Sequence, residues 1–530
     1  MNGAAALTQT LRNAGVDTVF SLSGNQIMPV YDAAIDSELR LIHTRHEAAA
    51  VYMADGWAQV TGQLGVALVT AAPGFANAIS ALYTARMQEV PVLFLSGDSP
   101  VGGDGSGTFQ ELDQVAIASP VVKHSVRVMS AETMGETLSE AIRIAVSGRP
   151  GPVHVALPFD VLKAEGGKAG TDFGRVVQSF DGADALVARL AEAKRPLIFT
   201  GPTLTDSRAH KALEALRQAT GAPVIPIESP RGLRDPALGA LPTVMPEADL
   251  IVSVGKVLDF ATGFARAPAF AEDVQVIAID PEAAGLERAA SLCGDRLIQS
   301  AQADATDAVG TITASAKPVD RAAWCERVDQ ALTHRASNSD PGDRIHARDI
   351  AAALQRVVDR DAETILCLDG GECGQWMQSG TKAKTRLING LSGAIGGILC
   401  YAIAAKIARP DATVIAGMGD GTVGFHLSEL ETAAREGADI VALVCNDALW
   451  NAEHQIQIRD YGEERTYGCG ILPDARYDQV AAALGCHGAH ITDTAEIDGA
   501  LDAALNSGKP ACLNLRTASL PAPVYLPFES

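Results

Sequence analysis

The chain has 530 residues, 47% of them hydrophobic and 20% charged, and a formal net charge of −22. That length exceeds one ordinary core and predicts about three domains. The acidic balance argues against nucleic acid and anionic membrane as partners and reads as a solubility device.

The opening Met1-Asn2-Gly3-Ala4 has no basic stretch followed by an apolar one, so no leader peptide is predicted. Three blocks follow, each alternating short apolar runs with helix-like patterns, which predicts an α/β protein of three doubly wound parallel-sheet domains. The first block covers residues 1–165. Its strand candidates are Thr18–Ser21, Gly65–Thr70, Pro91–Leu95 and Val153–Leu157, and a helix is expected to open at Glu47. Lys163–Gly174, rich in glycine and charge, reads as a linker. The second block, 180–335, offers Pro196–Thr200, Ala222–Ile227, Leu250–Val254 and Val274–Ile279. A polar connection at Ser337–Asp343 leads to the third block, 345–530. No short-period repeat is visible, and the first and third blocks have patterns compatible with similar folds. Leu391–Ala405 is the most membrane-like stretch, too short and too glycine-rich to span a bilayer. Nine cysteines without a C-x-x-C pair predict a reduced, cytoplasmic protein in which most of them fill core space.

The third block carries the strongest chemical pattern. The apolar run Thr413–Ala416 leads into Gly417-Met418-Gly419-Asp420-Gly421, and Ile440–Cys445 ends in Asn446-Asp447. Two strand ends thus each present a carboxylate, separated by a helix-like segment at Leu427–Glu436. Such a pair suits a hard cation like Mg2+ that takes its remaining oxygens from phosphate and water. A dinucleotide fingerprint would need glycine at 422, where the chain has Thr422, so a nicotinamide-dependent dehydrogenase is disfavoured. Glycines 419 and 421 still permit close backbone approach to a diphosphate. Glu47 follows His46 at a helix start, but Ala50 breaks the zinc pattern H-E-x-x-H. Its neighbours Ala48–Met53 are strongly apolar, a setting suited to a carboxylate that shuttles protons near neutrality. Leu391–Gly397 is a small-residue loop opening a helix, read either as a close packing point or as room for a planar cofactor with Ile395 as its one bulky wedge.

Arg45-His46-Glu47-Ala48-Ala49-Ala50, followed by Ala54-Asp55-Gly56-Trp57-Ala58 and Thr61-Gly62, resembles the N-terminal signature of thiamine-diphosphate enzymes. Gly419-Asp420-Gly421 to Asn446-Asp447 resembles their metal-diphosphate motif. The similarity covers nearly the whole chain and is greatest to acetolactate-synthase-like proteins and their 2-oxo-acid decarboxylase and 2-hydroxyacyl-CoA lyase relatives. It implies pyrimidine-binding, central and diphosphate-binding domains, thiamine diphosphate and Mg2+ as cofactors, and a homodimer or homotetramer with active sites between chains. Glu47 would bond the aminopyrimidine and promote the imino form that removes the thiazolium C2 proton. Asp420, Asp447 and the Leu449 carbonyl would hold Mg2+, although the family more often has Asn at the position of Asp447. Ile395 would bend the cofactor, Gly393 would receive its amino group, and Glu372, Gly419, Gly421 and Asn446 would line it. Cys373 is either a diphosphate neighbour or buried filler.

The resemblance also sets limits on the reaction. Asn25 stands where the synthase has a second Gly, Glu453 stands where pyruvate-decarboxylase-like enzymes keep an active-site Glu, and the paired histidines of those enzymes are missing. Phe109-Gln110-Glu111 resembles the synthase's Phe-Gln-Glu loop, which puts Gln110 toward the substrate. Gly255–Phe260 lacks the Arg-Phe-Asp-Asp-Arg-like element of flavin-carrying synthases, so flavin is not expected. Arg231, Arg234 and Lys256 are left as either nucleotide or CoA contacts or solvated charge. The implied reaction is decarboxylation and carboligation of a 2-oxo acid; a 2-hydroxyacyl-CoA or benzoin-type lyase and a cofactor-binding but non-catalytic member are the alternatives.

Overall fold

The structure, a computed structural model, describes residues 1–335 and 340–524. Ser337–Ser339 of the predicted connection and residues 525–530 of the third block lie outside the described residues. The first sheet comprises β1 (Thr18–Ser21), β2 (Arg40–His43), β3 (Gly65–Val69), β4 (Val92–Asp98), β5 (His124–Arg127) and β6 (Val153–Pro158). The second comprises β7 (Pro196–Thr200), β8 (Val224–Pro226), β9 (Leu250–Val254), β10 (Gln275–Asp280) and β11 (Leu297–Gln302). The third comprises β12 (Ile365–Leu368), β13 (Thr385–Ile388), β14 (Val414–Gly419), β15 (Val441–Asn446), β16 (His487–Ile491) and β17 (Ala511–Arg516).

Every strand pairing in the three sheets is parallel, as the alternating pattern predicts. The first sheet runs β2-β1-β3-β4-β6-β5 and the third β13-β12-β14-β15-β17-β16. Counted from its own first strand, each has the same order, so the two blocks share one topology. The middle sheet runs β11-β10-β9-β7-β8. β3, β4 and β6 are buried along their whole length, which is why their sequences are mostly small and apolar, with His154 in β6 and Asp98 at the end of β4 as the ionisable exceptions.

Sequence reading gave no strand at the inner β12 and β17, nor at β2, β5, β11, β13 and β16. The last five lie at sheet edges. There one face or one side meets water, and none of these strands is buried throughout. Without a continuous apolar run they carry no distinctive signal. The linker Lys163–Gly174 forms no helix or strand beyond its first residue, but it is lashed down: Gly167 N–H donates to the Met1 carbonyl at 2.8 Å and Gly170 N–H to Thr10 Oγ1 at 2.9 Å.

The chain groups into two compact units. One holds Met1–Val176 together with Leu399–Asp411 and His426–Asp439; the other holds Val177–Ile398, Ala412–Phe425 and the chain from Ile440 on. In the first unit Tyr401, fully buried, donates its hydroxyl to Asp55 Oδ2 at 2.8 Å, and a Cβ on Gly56 would stand 2.9 Å from the Tyr401 Cα. The Asp55-Gly56 pair of the N-terminal signature is therefore a docking point for the helix Ile398–Ala408: the glycine admits its backbone and the aspartate fixes its tyrosine. Among the described residues no helix is long and apolar enough to cross a membrane.

Candidate active site

In the second unit, the third sheet changes its direction of strand addition between β12 and β14. Open parallel sheets place ligands at such a switch point, outside the carboxyl ends of the strands. Here β12 runs into Asp369-Gly370-Gly371, β14 into Asp420, and the adjacent β15 into Asn446-Asp447. Asp420 Oδ1 accepts the Gly421 N–H at 3.0 Å, and its Oδ2 accepts the Ala448 N–H at 3.0 Å. Asp447 Oδ1 accepts the Leu449 N–H at 3.2 Å. Ala448, at φ 63°, turns the chain between Asp447 and Leu449 and brings its own N–H to Asp420. Burial pushes the Asp420 carboxyl up to about 6. Burial, then the charge of Asp420, pushes Asp447 up to about 7.

These residues fit a divalent cation on a diphosphate. The two carboxylates, Asp420 buried and Asp447 half-buried, repel one another, and among the described residues no group of three or more His, Cys, Asp or Glu side chains is placed to cage a metal alone. A cation here completes its shell with backbone and phosphate oxygen, which is how Mg2+ is usually held. Beside them, both carboxylate oxygens of Asp369 and the side-chain oxygen of Asn389 are buried without a hydrogen-bond partner. Burial raises the Asp369 pKa; Thr422 and Gly370 lie toward it and oppose the shift, outside full hydrogen-bonding geometry. Orphaned buried oxygens are costly, so they mark a place that a ligand or water completes. A Cβ on Gly419 or Gly371 would meet nothing within 4 Å, which leaves open space for close backbone approach. Gly421 is glycine for a different reason: a Cβ would stand 2.7 Å from the Trp450 ring.

The remaining predicted residues of this unit fall into place unevenly. Glu372, half-buried, accepts the Ala522 N–H; its pKa is raised by burial first, with Arg231 opposing and Glu453 adding to the shift. Arg231 thus sits among Glu372 and Asp369 rather than being free surface charge. Lys256 is buried with Nζ 3.2 Å from each Asp259 oxygen, which corrects the solvated reading; Arg234 is exposed. Gly393 is exposed at φ 66° and Ile395 half-buried. Asn446 spends its amide on the Ala475 carbonyl (3.0 Å) and Asn514 Oδ1 (3.1 Å), so it builds the strand end. Glu453 is exposed in the first turn of the helix Asn451–Tyr461. Cys373 is disulfide-bonded to Cys445, with Cα atoms 6.6 Å apart. The reading of the cysteines as unlinked core residues is corrected for this pair.

In the first unit, Glu47 opens the helix Glu47–Thr61, capped by His46, whose Nδ1 accepts the Ala48 N–H at 3.1 Å. Glu47 is half-buried rather than enclosed by its apolar neighbours. Asn77 donates to its Oε2 at 3.0 Å, and a Cβ on Gly74 would stand 3.3 Å from its Oε1. Asn25 is exposed, whereas its neighbour Gln26 is buried and bonded to Gln110. Gln26, Asn77, Asp369 and the buried Glu429 behind Arg45 are what sequence reading missed. Asp369 had the one usable signal, a carboxylate directly after an apolar run and before Gly370-Gly371, as at Asp420.

Known proteins resemble this chain domain by domain. Residues 1–117 match the thiamine pyrophosphate enzyme N-terminal TPP binding domain, residues 183–297 the central domain and residues 369–515 the C-terminal TPP binding domain. The acetolactate synthase large subunit IlvG of Mycobacterium tuberculosis is 31% identical over 98% of this chain and 96% of its own length. The acetolactate synthase isozyme 2 large subunit of Escherichia coli is 30% identical over 97% and 95%. A probable acetolactate synthase large subunit of Methanocaldococcus jannaschii is 29% identical over 97% and 92%. With three matched domains in this order and likeness along nearly its full length, the chain belongs to the thiamine-diphosphate-dependent enzymes, in their acetolactate-synthase-like group.

Proposed function

We propose that the protein is a thiamine-diphosphate- and Mg2+-dependent enzyme that breaks and makes a C–C bond beside the carbonyl of a 2-oxo acid, as a decarboxylase and carboligase. The observation that carries this reading is the carboxylate pair at adjacent strand ends, Asp420 buried and Asp447 half-buried, beside the orphaned oxygens of Asp369. When bound, the cofactor supplies an electron sink for the carbanion left as CO2 or another fragment departs. The chain's own work is binding, orientation and proton traffic. Asp420, Asp447 and the Leu449 carbonyl hold the cation, while Gly419, Gly371 and Glu372 face the diphosphate. Ile395 and Gly393 shape the ring site. Glu47, steadied by Asn77, holds a proton at its carboxylate against the cofactor ring. Asn25, Gln110 and Glu453 are assigned to the substrate side.

The proposed assembly is a homodimer or homotetramer in which Glu47 of one chain serves the metal site of a second copy. The proposed domain limits are 1–165, 180–335 and 345–530. The test is calorimetry of the pure protein with thiamine diphosphate and Mg2+, followed by product analysis with pyruvate. Saturable, Mg2+-dependent uptake is expected, with CO2 and acetaldehyde or acetolactate as products. Uptake without any such product removes pyruvate chemistry and leaves the lyase alternative; no uptake removes the reading altogether. In a competent enzyme, Glu47→Gln is expected to lower kcat by about 100-fold or more, the usual scale for losing a proton-transfer group.

A further inference from the structure

A hydrogen-bonded chain in the first unit fixes the direction of one side-chain amide. Thr70, the residue after β3, donates its hydroxyl to Gln26 Oε1 at 2.8 Å, and Gln26 Nε2 donates to Gln110 Oε1 at 2.6 Å. Gln26 is 5% exposed, while Gln110 is half-buried. The pair stands where β1 and β3 end, the switch point of the first sheet. The backbone under Gln110 is fixed as well. Glu111 accepts the N–H groups of Gly105 (2.6 Å), Gly107 (2.9 Å) and Thr108 (3.1 Å). Arg127 ties Asp98 (2.6 Å) to Asp104 (2.7 Å) across the start of the same loop. Gln110 itself takes φ 60°, a conformation a long side chain keeps only where its surroundings hold it.

A carboxamide has one accepting end and one donating end. The Thr70 hydroxyl uses the accepting end of Gln26, and Gln26 uses the accepting end of Gln110. What Gln110 has left is its NH2. We propose that Gln26 is a positioning residue that locks Gln110 with its NH2 outward, so that this wall of the site recognises an acceptor, the carboxylate of a 2-oxo acid. The inference rests on the function proposed above. The donor is uncharged, so it orients a carboxylate without the ground-state stabilisation of an ion pair, which would oppose loss of CO2.

The test uses two substitutions at one position. Gln26→Glu keeps the size but can only accept, so it turns the Gln110 NH2 inward and faces the substrate with an oxygen. Gln26→Leu removes the lock without reversing it. With the holoenzyme and a panel of 2-oxo acids including pyruvate and benzoylformate, Gln26→Glu is expected to raise KM about tenfold, Gln26→Leu about threefold, and kcat less than either. The KM penalty of Gln26→Glu is expected to fade as the pH falls far enough to protonate the introduced carboxylate. Calorimetric affinity for thiamine diphosphate is expected to stay unchanged in both. In the cofactor-free protein, the melting-temperature losses of Gln26→Leu and Gln110→Leu are expected to be non-additive, the double variant losing less than their sum. Wild-type KM in Gln26→Glu, or additive melting losses, overturns the inference and leaves the proposed function standing. Failure of the unaltered protein to take up cofactor sinks the proposed function and the substrate role of the pair with it, while the melting data still report whether the two glutamines interact.

Discussion

Glu429 accepts the backbone N–H of Arg45 at 2.8 Å, two residues ahead of Glu47 in the chain. Its other oxygen accepts the Thr432 hydroxyl at 2.7 Å, and the side chain is fully buried. A carboxylate thus supports the turn that launches the Glu47 helix. Burial pushes its pKa up to about 7, with the Thr432 and Arg45 bonds opposing the shift. The sign follows from linkage. Between the ordinary carboxyl range and pH 7 the folded state keeps a proton that the unfolded chain has released. Stability is therefore complete at about pH 4 and falls as the pH rises through 7.

At pH 8 the loss is on the order of 3 kcal/mol. Glu429→Gln keeps an acceptor for Arg45 and removes the titration. It is expected to flatten the fall between pH 4 and 8 and to raise the urea midpoint at pH 8. A variant whose pH profile matches the unaltered protein would show that Glu429 does not hold its proton into this range.

Asp420 and Asp447 repel one another, and the proposed cation would relieve that repulsion. Asp447→Asn keeps an acceptor for the Leu449 N–H while removing one charge. The variant is expected to melt higher than the unaltered protein without Mg2+, and to bind thiamine diphosphate with Mg2+ about tenfold more weakly, comparable to the low end of the loss seen when a metal ligand's supporting group is removed. Asp420→Ala also strips the acceptor from Gly421 and Ala448 and is expected to abolish Mg2+-dependent uptake. Thermal shifts with and without Mg2+ check both; equal Mg2+ responses in all three proteins would remove the metal from this site.

Tyr401 and Gly56 make a paired test of the docking point in the first unit. Tyr401→Phe withdraws the hydroxyl from Asp55 and is expected to cost about 1–3 kcal/mol in urea unfolding. Gly56→Ala presses a methyl against the Tyr401 backbone and is expected to cost at least as much, because backbone cannot rotate away. Neither substitution touches Glu47, so cofactor affinity measured well below the melting temperature should hold.

How much of this was readable in the sequence divides along physical lines. Most inner strands announce themselves because parallel sheets bury both faces: Leu250–Val254 and Pro196–Thr200 were read to the residue, although the inner Ile365–Leu368 and Ala511–Arg516 were not. The edge strands β5 and β16, half in water, did not. Asp420 and Asp447 were legible because each stands just past the end of an apolar run, so position along the strand revealed direction. Gln26 and Glu429 were not, since their roles depend on partners 84 and 384 residues away in the chain, at Gln110 and Arg45. No local pattern encodes a contact of that range. The disulfide between Cys373 and Cys445 failed the same way, its halves 72 positions apart in the chain.

Ala72 is the residue whose backbone argues most directly for a functional turn. It takes φ 47° and ψ −97° just before the short helix Pro73–Asn77, a conformation that favours glycine. An alanine there costs about 1 kcal/mol or more. The turn it forms leads from Thr70, which fixes Gln26, to Gly74 and Asn77, which bracket Glu47. Ala72→Gly relieves the strain but gives the unfolded chain more freedom to lose, and the two effects are of similar size. The expected net change in urea unfolding is therefore between zero and a gain of about 1 kcal/mol. Ala50→Gly, in the fully buried interior of the Glu47 helix, is instead expected to lose about 1 kcal/mol or more. If strain is what holds Asn77 against Glu47, Ala72→Gly should lower kcat several-fold while leaving stability intact. A variant that loses stability like Ala50→Gly would show that the left-handed turn carries no strain to release.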